Sequence, residues 1–265
     1  MKRARQQAHR ALIAPLLALS LAALAGCATT QPGPNANPRD PWEPFNRNVS
    51  QFNDGVDRIV LKPVATLYRE KVPPLVRTGV SNFFGNLSDL WSAANSVLQF
   101  RLQDAGESFA RFQINSTFGI GGIFDVASDL QIEKHREDFG QTLGRWGVPA
   151  GPYMVIPLLG PSTLRDTVAL PVDWYGDLVR HVDPTGTREA LMAVRLVDRR
   201  ANLIRVGNVL EEAALDRYSF TRDAHLQRRR AEIDRYQDDR EVPPPLLDES
   251  LEPYKSPSAQ GAPTR

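Results

Sequence analysis

Thiols, histidines and long apolar runs are all scarce in this 265-residue chain, which carries one cysteine and four histidines. A single cysteine, Cys27, excludes an intrachain disulfide and a cysteine-based metal centre. No stretch reads as a membrane-spanning helix: the apolar run from Ala11 to Ala25 falls short of the ~20 residues a bilayer needs. Catalytic signatures are missing too, with no Gly-x-Ser-x-Gly elbow, no His-Glu-x-x-His and no phosphate loop ending in Gly-Lys-Ser or Gly-Lys-Thr. His135, His181 and His225 lie in separate segments without ligand spacing and read as solvated surface. Gly119-Ile120-Gly121-Gly122 lacks the third glycine of a dinucleotide fingerprint, so it reads as a turn that needs positive φ or close backbone approach. Asp125 with Asp129, and Glu137 with Asp138, read as caps and solvated faces. A net charge of +1 gives no field for nucleic acid, and Arg228-Arg229-Arg230 is bracketed by Asp223, Glu232 and Asp234 as on a solvated helix face. These absences leave no cofactor, no metal site and no nucleic-acid partner expected, and argue against an enzyme. A lipid hydrolase and a structural adaptor remain the alternatives.

The most telling feature present is Leu24-Ala25-Gly26-Cys27, which closes a leader with Lys2, Arg3, Arg5 and Arg10 ahead of its apolar run. This is a lipobox. It predicts a cleavable signal over residues 1–26 and a lipid-modified N-terminal Cys27, held by several acyl chains at ~0.8 kcal/mol per buried methylene. Ala28 stands where an aspartate would favour retention at the inner membrane, so the outer membrane is expected. Residues 27–39 hold Thr, Gln, Pro, Gly and Asn with no large apolar side chain and read as a flexible stalk. Residues 239–265, rich in proline, read as a disordered tail.

Between them, residues 40–238 form one domain that reads as helix, with weak strand signals throughout. Phe45, Val49, Phe52, Val56 and Ile59 recur at helical spacing, although Pro44 blurs the start. Their side is expected to face lipid or core, with Asn46, Asn53 and Asp57 opposite. Further helices are expected from Pro63 to Val72, from Pro74 to Phe84 and from Ser88, with Asp104 and Glu107 as a capping box for the next. A short helix follows Asp138, Ser162 caps another toward Ala169, and one or two long helices fill residues 187–238. One segment resists this pattern. Residues 146–164 carry no charge, yet their prolines and glycines forbid a continuous helix. It is either a buried core loop or an apolar hairpin facing lipid beside a polar cavity. Gly147, Gly151 and Gly160 would hinge such a hairpin, with Tyr153 and Ile156 among its apolar surface.

Four ordered blocks behind the lipobox carry a family resemblance. Asp40-Pro41-Trp42-Glu43-Pro44-Phe45-Asn46-Arg47, Ser81-Asn82-Phe83-Phe84-Gly85-Asn86-Leu87, the run from Arg111 to Ala127, and Phe139-Gly140-Gln141-Thr142-Leu143-Gly144 leading to Gly151-Pro152-Tyr153 and Thr163-Leu164-Arg165-Asp166 resemble the MlaA (VacJ) outer-membrane lipoproteins. The resemblance covers residues 40–177 and thins beyond them. It implies an all-α, ring-like single domain whose amphipathic helices lie in the membrane plane around a polar channel. It implies further that phospholipids mislocalised in the outer leaflet pass to a periplasmic lipid carrier feeding an inner-membrane ABC transporter, with a trimeric porin as partner. Asn46, Asn53, Asn82 and Asn115 are then candidates for the channel lining, with capping or backbone hydrogen bonds as the alternative for each.

Overall fold

The computed structural model describes residues 37–213 and 215–234. The signal, Cys27, the stalk up to residue 36 and the tail from residue 235 lie outside the described residues. Helix α1 (Glu43–Val56) starts with Pro44 in its first turn, where a missing N–H costs nothing. It runs without a break through a π-helical turn, Asp57–Leu61, into α2 (Lys62–Lys71). That turn directly precedes Pro63, whose ring removes a donor and crowds the carbonyl of Ile59, which explains why the helix bulges there instead of ending. Pro73-Pro74 then stops α2 and opens α3 (Pro74–Leu98). The two stripes expected as separate helices belong to this single one, and Ser88 sits mid-helix with Oγ donating to the Phe84 carbonyl at 2.9 Å. The short link 99–101 folds α4 (Leu102–Thr117) back along α3.

No side chain caps α4, so the expected capping box is absent: Asp104 pairs with Arg101, and Glu107 meets His135. The glycine turn after α4 behaves as its sequence suggested. A Cβ on Gly119 would sit 2.1 Å from the Phe124 carbonyl oxygen, and Gly122 has φ of +92°. Asp125 caps the short α5 (Val126–Asp129), and Asp138 caps α6 (Phe139–Arg145). Thr163, one residue after the expected Ser162, caps α7 (Leu164–Gly176). A 3-10 turn, Leu178–His181, leads to α8 (Thr185–Ala213) and α9 (Arg217–Asp234). Helix α8 packs on α2, and α9 packs on α6 and the hairpin.

An all-α fold is corrected in one place. Residues 153–163 form an antiparallel pair, β1 (Tyr153–Ile156) and β2 (Gly160–Thr163), with Tyr153 opposite Thr163 and Ile156 opposite Gly160. The chain is therefore mostly helical with one β-hairpin.

Burial runs opposite to that of a water-soluble domain. Among the described residues, buried polar and charged side chains outnumber buried hydrophobic ones, and Arg111, Asn46, Asn95, Ser96, Ser108 and Thr142 are wholly enclosed. Large apolar side chains point outward instead: Ile59 is 77% exposed, Leu75 74%, Phe100 84% and Phe118 73%. Charged residues are almost never fully buried in soluble folds unless paired, and wide apolar exposure marks a surface made for another apolar phase. No described helix is long and apolar enough to cross a membrane.

Candidate functional site

Helix α1 holds the hairpin by two asparagines. Asn46 is wholly buried, and its side-chain amide pairs with the free edge of β1 as a neighbouring strand would. Nδ2 donates to the Tyr153 carbonyl at 3.1 Å, and Oδ1 accepts the Val155 N–H at 2.9 Å. Two turns on, Asn53 repeats the pattern, donating to the Ile156 carbonyl at 3.0 Å and accepting the Leu158 N–H at 2.8 Å. The match is geometric: seven helical residues rise about 10 Å at 1.5 Å each, and three strand residues advance about 10 Å at 3.4 Å each. Asp40 completes the anchor, accepting from Asn46 at 2.8 Å and from the Tyr218 hydroxyl at 2.6 Å, with Arg222 at 3.3 Å. Burial, aided by that bond to Asp40, raises the pKa of Tyr218, so its hydroxyl stays a donor.

The hairpin itself divides along its length. Tyr153 and Val155 are buried with Tyr218, against Val49 and Leu226, while Leu158 and Leu159 at the tip are 64% and 57% exposed. Ile156 is half-buried between the two. Gly147, Gly151 and Gly160 all have positive φ, +91°, +69° and +90°, as chain reversals require of them. The tip residue Leu158 also takes a left-handed φ of +64°, a conformation that favours glycine and that the bond to Asn53 helps hold.

Asn82 and Asn115 likewise bond to the glycine turn and its sequel. Asn82 donates to the Ile123 carbonyl at 3.0 Å, and Asn115 donates to Asp125 at 2.9 Å and accepts the Ala127 N–H at 2.8 Å. Each of the four asparagines thus makes at least one bond to backbone, the alternative role the sequence left open, and Asn46 and Asn115 also donate to Asp40 and Asp125. Asn46 and Asn115 have almost no exposed surface to offer a lumen. Along α1, Asn46 is buried against the hairpin and Phe52, on the apolar side, is 56% exposed.

Three charged hubs tie the helices together, and sequence reading singled out none of them. Arg111 donates to both oxygens of Asp125 at 2.7 and 2.8 Å and to the Ile132 carbonyl at 2.6 Å, with Asp89 at 3.5 Å. Burial alone would raise the pKa of Asp125, but its bonds to Ser128, Asn115 and Arg111 outweigh this and lower it to about 2. Asp89 is raised, since burial outweighs Lys134 and Arg111. In a second hub Arg101 donates to Glu137 at 2.7 Å, and Gln99 reaches Glu137 at 3.2 Å and Thr142 at 3.1 Å. The third corrects the reading of the arginine triplet: Arg229 is buried, donating to Asp138 at 2.7 and 2.9 Å and to Asp166 at 2.9 Å. Burial works against its charge, and Asp138 and Asp166 more than offset that, raising its pKa. Two histidines are corrected as well. His135 is buried and His225 half-buried, with burial and then Arg229 lowering the His225 pKa to about 4; His181 is exposed, as expected.

Comparison with known proteins bears on what an inverted, internally charged helical fold is for. The family model of the MlaA lipoprotein matches residues 38–232. The chain belongs to the MlaA lipoprotein family. It is 36% identical over 220 residues, 80% of this chain and 85% of the relative, to the intermembrane phospholipid transport system lipoprotein MlaA of Escherichia coli. It is 34% identical over 226 residues to the protein of that name from Haemophilus influenzae, covering 79% and 85% of the two chains. An uncharacterised protein of Rickettsia bellii is 33% identical over 195 residues, covering 73% and 76%. A chain solved in work on the structural basis for maintenance of bacterial outer membrane lipid asymmetry superposes with a TM-score of 0.64 at 33% identity, covering 73% of this chain and 98% of its own.

Proposed function

We propose that this chain is the outer-membrane lipoprotein of an intermembrane phospholipid transport system, which takes phospholipid mislocalised in the outer leaflet and passes it toward the periplasm, maintaining lipid asymmetry. The work is transport, not catalysis. The observation that carries this reading is the inversion of burial: an apolar exterior suits lipid tails, and a polar, charged interior suits headgroups and fixes the helices without a large oily core.

In this reading Cys27 is acylated after removal of residues 1–26, residues 27–39 span from lipid to domain, residues 40–238 lie in the inner leaflet, and residues 239–265 extend from them. The helices surround a polar channel as a ring, open to the periplasm. The hairpin, with Leu158 and Leu159 exposed at its tip and glycines at its bends, acts as a gate in contact with lipid tails. A trimeric porin holds the ring, and a soluble periplasmic carrier takes the lipid on to an inner-membrane ABC transporter. The lumen draws its polarity from side chains other than Asn46 and Asn115, whose amides are spent on the hairpin and the glycine turn. Deleting the gene should leave phospholipid in the outer leaflet, read by surface lipid labelling, and the wild-type copy should restore asymmetry. Unchanged outer-leaflet phospholipid in the deletion strain overturns the proposal.

A further inference from the structure

Beyond the lipid-facing hairpin, one cluster on the α4 side of the molecule has the chemistry of a metal centre. Glu133 and His135 stand two residues apart in the segment between α5 and α6 that has no regular secondary structure. Glu107 comes from α4. One ligand atom from each lies within 4.8 Å of the others. His135 is 4% exposed, and its Nε2 meets Glu107 Oε2 at 2.7 Å, a hydrogen-bond contact that aims the two side chains at each other. The atoms behind them are arranged to hold that aim. Gln103 donates to the other oxygen of Glu107 at 3.0 Å, and the buried His135 Nδ1, which makes no hydrogen bond, faces Asp104 Oδ2 at 3.7 Å. A carboxylate behind the far nitrogen of a ligating histidine is the usual second layer of a zinc site, fixing the tautomer and the ring plane. Asp104 is itself held by Arg101.

We propose that Glu107, Glu133 and His135 form a site for a divalent transition metal of the zinc class, which clips α4 to the segment leading into α6. One imidazole and two carboxylates match zinc's nitrogen and oxygen ligands at about 2.0–2.2 Å. A set with no second imidazole or thiolate binds more weakly than a structural cysteine site, and magnesium or calcium would prefer oxygen alone. Glu133 is exposed, so water completes the coordination from that side. The ion takes the Nε2 lone pair of the neutral imidazole, whose proton sits on Nδ1, directed at Asp104.

The test uses tag-free, detergent-solubilised full-length protein stripped with EDTA and titrated with zinc chloride, read by calorimetry and thermal unfolding. One ion should bind per chain and raise Tm, as any ligand of the folded state does. Glu133→Gln, on an exposed side chain, should leave the metal-free Tm unchanged and weaken zinc binding about tenfold or more. Glu189→Gln, exposed and remote, should bind as wild type. Equal affinity in wild type and Glu133→Gln, absence of saturable binding, or the same response to magnesium overturns the site. No transport is measured, so these outcomes stand apart from the lipid-transfer reading.

Discussion

Substituting Asn46 tests the connection between α1 and the hairpin most directly. Asn46→Ala removes three hydrogen bonds and leaves the Val155 N–H and the Tyr153 carbonyl buried with no partner. Each orphaned group costs about 1–3 kcal/mol, so a loss of about 3–5 kcal/mol is expected, enough to lower Tm by several degrees. Asp40 keeps the Tyr218 hydroxyl and Arg222, so the damage should stay at the hairpin edge. Asn46→Asp keeps the shape and still accepts from Val155, but it turns a carboxylate oxygen toward Asp40 and the Tyr153 carbonyl where the amide donated. It should therefore destabilise at least as much as alanine. Asn53→Ala, in a half-buried setting, should cost about 1–2 kcal/mol. Thermal unfolding of the detergent-solubilised variants gives the sizes, and amide hydrogen exchange at Val155 and Leu158 gives the place. An Asn46→Ala protein with wild-type Tm and undiminished protection at Val155 would refute the account.

Four further outcomes follow from other parts of the molecule. Arg111→Gln removes the guanidinium from the buried Asp89 and the half-buried Asp125 carboxylates and should cost about 3–5 kcal/mol in unfolding free energy; a variant as stable as wild type sinks the hub. His225, with a folded pKa of about 4 below its free value of 6.5, is kept neutral by the fold. Its contribution is full above pH 6.5 and lost as pH falls through about 4, at most about 3 kcal/mol, so His225→Gln should flatten the stability profile in that window and leave pH 8 stability little changed. Ile156→Asp, placed near the hairpin tip, should raise outer-leaflet phospholipid while the protein stays folded in the membrane; a collapsed Tm would mark the segment as ordinary core. Cys27→Ser removes the thiol that carries the diacylglycerol, and incorporation of labelled palmitate at the wild-type level would refute the lipobox reading.

Local rules carried the helices well and the interior poorly. Apolar spacing placed α1, α2 and the start of α3, and Asp138 and the glycine turn were visible because capping and positive φ have short-range signatures. The join between the two stripes of α3 was not visible, since nothing in residues 85–87 says that the helix continues. The hairpin was seen as an uncharged, turning segment, but its strands were not, because β1 is also bonded by side chains of α1 over a hundred residues away. Arg111 and Arg229 look like any exposed arginines in sequence. Only the tertiary fold brings Asp89, Asp125, Asp138 and Asp166 to them.

The same feature that hid the hubs explains why they suit this fold. In water a buried ion pair competes with hydrophobic packing of the same volume and often loses. In the proposed setting, a domain whose outer surface meets lipid tails gains little by turning more apolar side chains inward, because no water is expelled when one apolar phase replaces another. Specific polar contacts must then set helix positions. The described residues follow that logic: Asp40, Asp125, Asp138 and Asp166 each bridge elements distant in sequence, and asparagine amides stand in for a missing strand. A charge-to-neutral change at any hub should therefore misplace helices, and with them the polar interior, before it exposes any oily core.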